Sequence, residues 1–206
     1  MMMKGDFQMS LGFIIAVVFA IVLLSLALVW LRGIIGDVTD VTSDLTKQAH
    51  DTLAQNFRES ANDFAVWPSQ YDMRAEKTLI MSAGIENDAL DGKDHLFVIN
   101  IVPASADDRI LAAKGCTELT TSCAIYKDMQ SWLTFDKSPS LIKINSIGYR
   151  SITINPSDSA VKGTYLFNVI ACYNDVGSSP PVYSACTSTS SSLWGGSQQP
   201  ILLNIE

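Results

Sequence analysis

The chain has 206 residues, of which 48% are hydrophobic and 17% charged, and its formal net charge is −7. No basic run or stripe exists to neutralise phosphates, so a nucleic-acid partner is excluded. The length is ample for one self-sufficient core, and the acidity suits a solvated surface.

The first element lies in "KGDFQMSLGFIIAVVFAIVLLSLALVWLR", residues 4–32. Between residues 11 and 31 no side chain is charged. A helix needs about 20 such residues to cross roughly 30 Å of hydrocarbon. No A-x-A cleavage site follows, so the segment is expected to stay on the protein, with Trp30 and Arg32 suited to a membrane–water boundary. Basic residues barely decide the orientation, with Lys4 before the span and Arg32 and Lys47 after it. Cysteine placement decides better: Cys116, Cys123, Cys172 and Cys186 all follow the span, and an even count at short spacing reads as disulfides in an oxidising compartment. The expectation is a cytoplasmic segment over 1–10, a transmembrane helix over 11–31 and the remainder outside the cell.

After Arg32, apolar residues recur in steps of three and four at Ile34, Val38, Val41, Leu45, Ala49, Leu53 and Phe57. That spacing marks one face of a helix, with Asp, Thr, Ser, Lys and Gln on the others. A helical stalk is expected over 32–66, stopped by Pro68. Its stripe needs a cover, either the protein's own globular part or the helix of another copy.

From about Leu79 the period becomes two. "TLIMSAGIE", "HLFVINIVP", "SWLTFD", "LIKINSIGYRSITINP", "GTYLFNVIACY", "PVYSAC" and "PILLNIE" are apolar or alternating runs set apart by turn residues. About seven strands with no helical period between them predict an antiparallel β-sandwich of immunoglobulin type over 67–206. The fold class expected is therefore α+β, mainly β. Tyr165, just after a glycine at a strand start, is a candidate tyrosine corner.

Two stretches interrupt the strands. "DDRILAAKGCTELTTSCAIY" reads as a loop pinned by Cys116 and Cys123, and "NDVGSSPPVYSACTSTSSSLWGGSQQ" as a long connection pinned by Cys172 and Cys186. Local pairing is the expectation, though four cysteines permit three connectivities. Trp194, between Ser and Gly runs, is the loop residue expected to be exposed and to make contact with a partner.

No nucleophile–base pair, H-E-x-x-H, G-x-S-x-G or phosphate loop occurs, so no enzymatic activity and no cofactor are expected. His50 and His95 read as surface residues. Asn87, Asp88, Asp91, Gly92 and Asp94 gather oxygens of the kind calcium prefers, but an Asp-Gly turn between strands explains them without a metal, and no metal site is assigned.

Lys4-Gly5 followed by Gln8-Met9-Ser10-Leu11 and the apolar run resembles the class III signal segments of archaeal type IV pilins and archaellins. "NPSDSAVKGTYLFNV" is similar to immunoglobulin-like domains of archaeal surface proteins. The resemblance implies cleavage by a prepilin peptidase between Gly5 and Asp6, and homo-oligomeric assembly of the helices into a filament core. Asp6-Phe7 separates the Gly from the Gln, and neither Ser10 nor Gly12 supplies the glutamate many pilins carry. The second expectation is thus an uncleaved, solitary membrane-anchored domain, similar to the single-span accessory proteins of the archaellum motor.

Overall fold

The computed structural model describes residues 11–59, 62–196 and 198–206, the side chains of residue 11 and residues 29–45 excepted. The cleavage element Lys4, Gly5, Asp6 and the side chains of Ile34, Val38, Val41 and Leu45 lie outside the described residues. The chain divides into two compact units, Met1–Leu45 and Thr46–Glu206.

Helix α1 is Leu11–Glu59. In the first unit its described side chains, residues 12–28, are exposed, and they are apolar apart from Gly12 and Ser25. Ser25 donates its hydroxyl to the Ile21 carbonyl at 2.8 Å, so the one polar side chain there is satisfied within the helix. Among the described residues no helix is long and apolar enough to cross a membrane. The described side chains of the apolar run end at Leu28.

Among the described residues the second unit is a sandwich of nine strands with the end of α1 laid on it: β1 Phe64–Trp67, β2 Gln70–Met73, β3 Leu79–Asn87, β4 His95–Ala106, β5 Leu133–Phe135, β6 Ser140–Ile142, β7 Ser146–Ile154, β8 Gly163–Asp175 and β9 Gln199–Ile205. One sheet has the order β1-β3-β7-β5 and the other β2-β9-β8-β4-β6. Alternation along the strands turns Met81, Ala83 and Ile85 of β3, Phe97, Ile99 and Ile101 of β4, and Tyr165, Phe167 and Val169 of β8 into one common core.

Several sequence expectations need correction. The helix stops at Glu59, and β1 begins inside the expected stalk. The helical stripe itself ended at Phe57; beyond it Phe64 and Val66 alternate into the core while Ala65 and Trp67 face away, which is a strand period. A cis Trp67–Pro68 peptide leads from β1 toward β2. The sandwich is also not purely antiparallel, because β2 runs parallel to β9 from Gln70↔Leu202 to Met73↔Ile205. This parallel pair is accessible only because β2 and β9 come from opposite ends of the domain.

The expected loop around Cys116 contains helix α2, Asp108–Ala113, and runs into helix α3, Ala124–Ser131. Ile110 and Leu111 of α2 and Ile125 and Met129 of α3 join the core, so apolar residues at helical spacing were present in a stretch read as loop. "PVYSAC" forms a 3-10 turn at Tyr183–Ala185 rather than a strand. Both local disulfides are present, Cys116–Cys123 and Cys172–Cys186. The second fastens its loop over the outer face of the five-stranded sheet, enclosing Val98 and Ile170, and Asn100 donates to the Cys186 carbonyl at 2.9 Å beneath it.

Tyr165 is wholly buried, donates its hydroxyl to the Val161 carbonyl at 2.6 Å and meets Trp132 edge to face at 5.0 Å. The backbone bond to a residue just upstream is the contact that defines a tyrosine corner. Burial pushes its phenol up to about 12.

Candidate functional site

Two places in the second unit bring side chains together in ways the sequence left open. The first is the seam between residues 46–59 of α1 and the outer face of the four-stranded sheet. On that face Gly84 of β3 lies between Ala65 of β1 and Tyr149 of β7, and Ser82 lies between Trp67 and Ser151. Small side chains at Ala65, Ser82 and Gly84 leave a shallow path for a helix. Ala49, Leu53 and Phe57 are all buried, Leu53 to 0% exposure. A Cβ on Gly84 would stand 2.9 Å from Cε2 of Phe57 and 3.4 Å from Cδ1 of Leu53, so the close approach requires glycine.

The candidate assembly face is therefore divided. Leu53 and Phe57 are covered by the protein's own sandwich and are not free to meet another copy. Burying these two side chains contributes about 3–6 kcal/mol to holding the helix in place.

His50 belongs to this seam rather than to an open surface. Its ring stacks on Tyr149 with centroids 3.8 Å apart and planes 14° from parallel. The Tyr149 hydroxyl donates to the His50 carbonyl at 3.3 Å. Burial raises the Tyr149 phenol, with the charges of Asp51 and Glu86 adding to it. Beside the stack a hollow of about 250 Å³ is lined by Thr46, His50, Ile80, Ser82 and Ser151 among others.

The second place is a cleft of about 530 Å³ bounded by Asp63, Asp88, Asp91, His95, Asp175 and Trp194, with Ala89, Leu90 and Tyr173. His95 is the first residue of β4 and shares its face with Phe97 and Ile99, so period two carries the imidazole inward. It is 1% exposed, which corrects the reading of a surface histidine. Asp91, one turn earlier, receives its Nε2 at 3.1 Å, and Asp175, directly opposite on β8, brings Oδ1 to 3.3 Å from Nδ1. That second approach lacks hydrogen-bond angles, and Nδ1 is a buried nitrogen without a hydrogen-bond partner.

The carboxylates around the cleft differ. Asp91 is held below the usual range, first by its hydrogen bond from His95 and also by the Lys93 amide. Asp63 is raised by burial and then by Asp88, which faces it as a like charge. Glu86 is raised by burial and by Asp88 and Asp63, with Arg58 opposing.

Trp194 also requires correction. It is 8% exposed, donates Nε1 to the Glu86 carbonyl at 3.0 Å and packs edge to face on Phe97 and Tyr173. Its segment folds back as an added partner for β8, through Trp194 N–H to the Ala171 carbonyl at 2.8 Å and Tyr173 N–H to the Ser192 carbonyl at 2.9 Å. The ring walls the cleft instead of projecting from a loop tip. In the acidic turn, Asn87 is buried and spends its amide on the carbonyls of Lys93 and Ile142, while Asp94 accepts from the Ile144 amide at 2.9 Å. These two residues shape the turn, whereas Asp91 alone of the turn joins His95 and Asp175 in one cluster, with donor atoms all within 4.8 Å.

No known protein family matches the chain. No curated protein matches it either. Among solved structures it is similar to PapD-like domain 7 of human CEP192, at 10% identity and a TM-score of 0.41, covering 70% of this chain and 86% of that one. It is similar to the E. coli chaperone DraB at 8% identity and a TM-score of 0.36, covering 70% and 55%. A collagen-binding domain from a Staphylococcus aureus adhesin aligns at 11% identity and a TM-score of 0.27, covering 70% and 99%.

Proposed function

We propose that this chain is a structural subunit of an archaeal type IV pilus-type surface filament, assembled with copies of itself through α1. One observation carries the proposal: the apolar side chains of residues 12–28 are exposed, on the same helix whose residues Leu53 and Phe57 are fixed to the sandwich. An exposed apolar helix must be covered by lipid or by identical neighbours, since hydrocarbon tails and leucine side chains are similar surroundings. The internally satisfied Ser25 hydroxyl suits either cover.

The subunit would wait in the membrane as a single-pass protein, with its N-terminus cytoplasmic and its sandwich outside, before prepilin-peptidase processing and assembly. Its role is mechanical rather than enzymatic. Because the docked turns of α1 are part of the domain's own packing, each helix added to a bundle would carry its sandwich with it.

The test is the N-terminal sequence of the protein recovered from native cells, with its distribution between sheared surface material and membranes. A start at Asp6 in sheared filaments is the expected result. An intact N-terminus confined to membranes would overturn it and identify a solitary anchored domain.

A further inference from the structure

We propose that His95 and Asp175 form a binding site for a borderline divalent cation such as zinc, with Asp91 as the carboxylate that orients the imidazole. Asp91 accepts hydrogen bonds from His95 Nε2 and from the Lys93 amide, both at 3.1 Å. An ionised carboxylate can only accept, so Nε2 carries a proton, and in the neutral imidazole Nδ1 presents its lone pair. That nitrogen lies 3.3 Å from a carboxylate oxygen of Asp175 without a hydrogen bond between them. A buried nitrogen lone pair with no donor beside it is unfavourable until something positive reaches it.

The spacing suits a metal ion. Two ligands each at 2.0–2.1 Å from a tetrahedral ion are about 3.3 Å apart. A ligating histidine whose other nitrogen donates to a carboxylate is also the arrangement that fixes tautomer and raises ligand basicity. His95 is held from three sides by Phe97, Tyr173 and Trp194, with ring centroids at 6.3, 5.3 and 6.3 Å, so its direction is set before any ion arrives. Asp63 and Asp88 line the same cleft and bring two further carboxylates to it. An imidazole ligand favours zinc over calcium, for which an all-oxygen set would serve.

The site is tested on the untagged full-length chain in detergent, stripped with EDTA and titrated with zinc in a calorimeter, with cobalt as a spectroscopic probe. The expected result is one zinc per chain, cobalt bands of a tetrahedral N/O site, and a higher melting temperature with zinc than with EDTA. Asp175→Asn, at an exposed position, should weaken binding by at least about tenfold, and Asp91→Asn by roughly 10–100-fold. His95→Gln should abolish it; if that variant does not fold, the Asp175 variant carries the test. Failure to bind zinc at millimolar concentration would overturn the proposal, leaving a histidine that only pairs with two carboxylates. Equal binding of calcium that Asp175→Asn leaves unchanged would overturn it as well, reducing the cleft to a diffuse acidic surface.

Discussion

Replacing Gly84 by valine puts a branched side chain where the described geometry leaves no room. The new Cβ alone would approach the Phe57 ring to 2.9 and 3.1 Å and Leu53 to 3.4 Å, and the two methyl groups extend further. The Phe57 ring can move only by breaking its own packing, because it is buried between helix and sheet. Overpacking of this kind costs about 1–3 kcal/mol. The relief of glycine's backbone entropy returns roughly 0.4–1 kcal/mol, so a net loss near 1 kcal/mol is expected. For a unit of this size that lowers Tm by about 2–4 °C. The assay is urea unfolding of the full chain in detergent, followed by tryptophan fluorescence, with Leu90→Ser as a control at a fully exposed tip (107%). The control should stay within about 0.5 kcal/mol. Phe57→Ala alone should cost about 3–5 kcal/mol. Combined with Gly84→Val, it should cost less than the sum by at least about 1 kcal/mol, because the cavity accepts the methyl groups. Additive effects, or a neutral Gly84→Val, would refute the docking of α1 on this sheet.

Tyr165→Phe removes the hydroxyl from the Val161 carbonyl and should cost about 1–2 kcal/mol. In the native protein an ultraviolet titration should show one phenol ionising late, at about 12. Replacing both Cys172 and Cys186 by alanine opens a loop with a sequence separation of 14 and should cost about 3 kcal/mol, plus exposure of Val98 and Ile170. The Cys116–Cys123 pair, with a separation of 7, should cost less, about 2.5 kcal/mol; equal reductant sensitivity of the two loops would contradict this order. Asp63 has a folded-state carboxyl raised by burial and by Asp88, so its unfavourable contribution is absent below the unfolded value of 3.8 and grows as pH rises through the raised folded value. Asp63→Asn should therefore raise Tm at pH 7 in EDTA, with the gain fading toward pH 3.5; a gain independent of pH would refute the charge argument.

Local pattern carried a large part of this structure. Alternation in "HLFVINIVP" and "GTYLFNVIACY" is enough to place β4 and β8 and to choose their inward residues, because a strand's period is a property of the backbone. The same parity already put His95 on the face of Phe97, a signal for burial that its place beside a turn obscured. Short cysteine spacing likewise favoured the two local bridges, while only the structure chose among the three connectivities. Weak or mixed patterns misled: four residues of β1 after a long helix carry too little period to be recognised, and α2 is too short to show one.

The sequence by itself thus determined that an uncharged apolar segment precedes a β-rich, disulfide-bonded domain, since hydropathy, period and cysteine spacing act along the chain. Only the tertiary structure decided that Gly84 receives Phe57, that Trp194 closes a cleft, and that Asp175 stands opposite His95. Those juxtapositions depend on strand register and on which face a helix covers. Register is settled by the fit of whole sheets to one core, so no short stretch of residues encodes it.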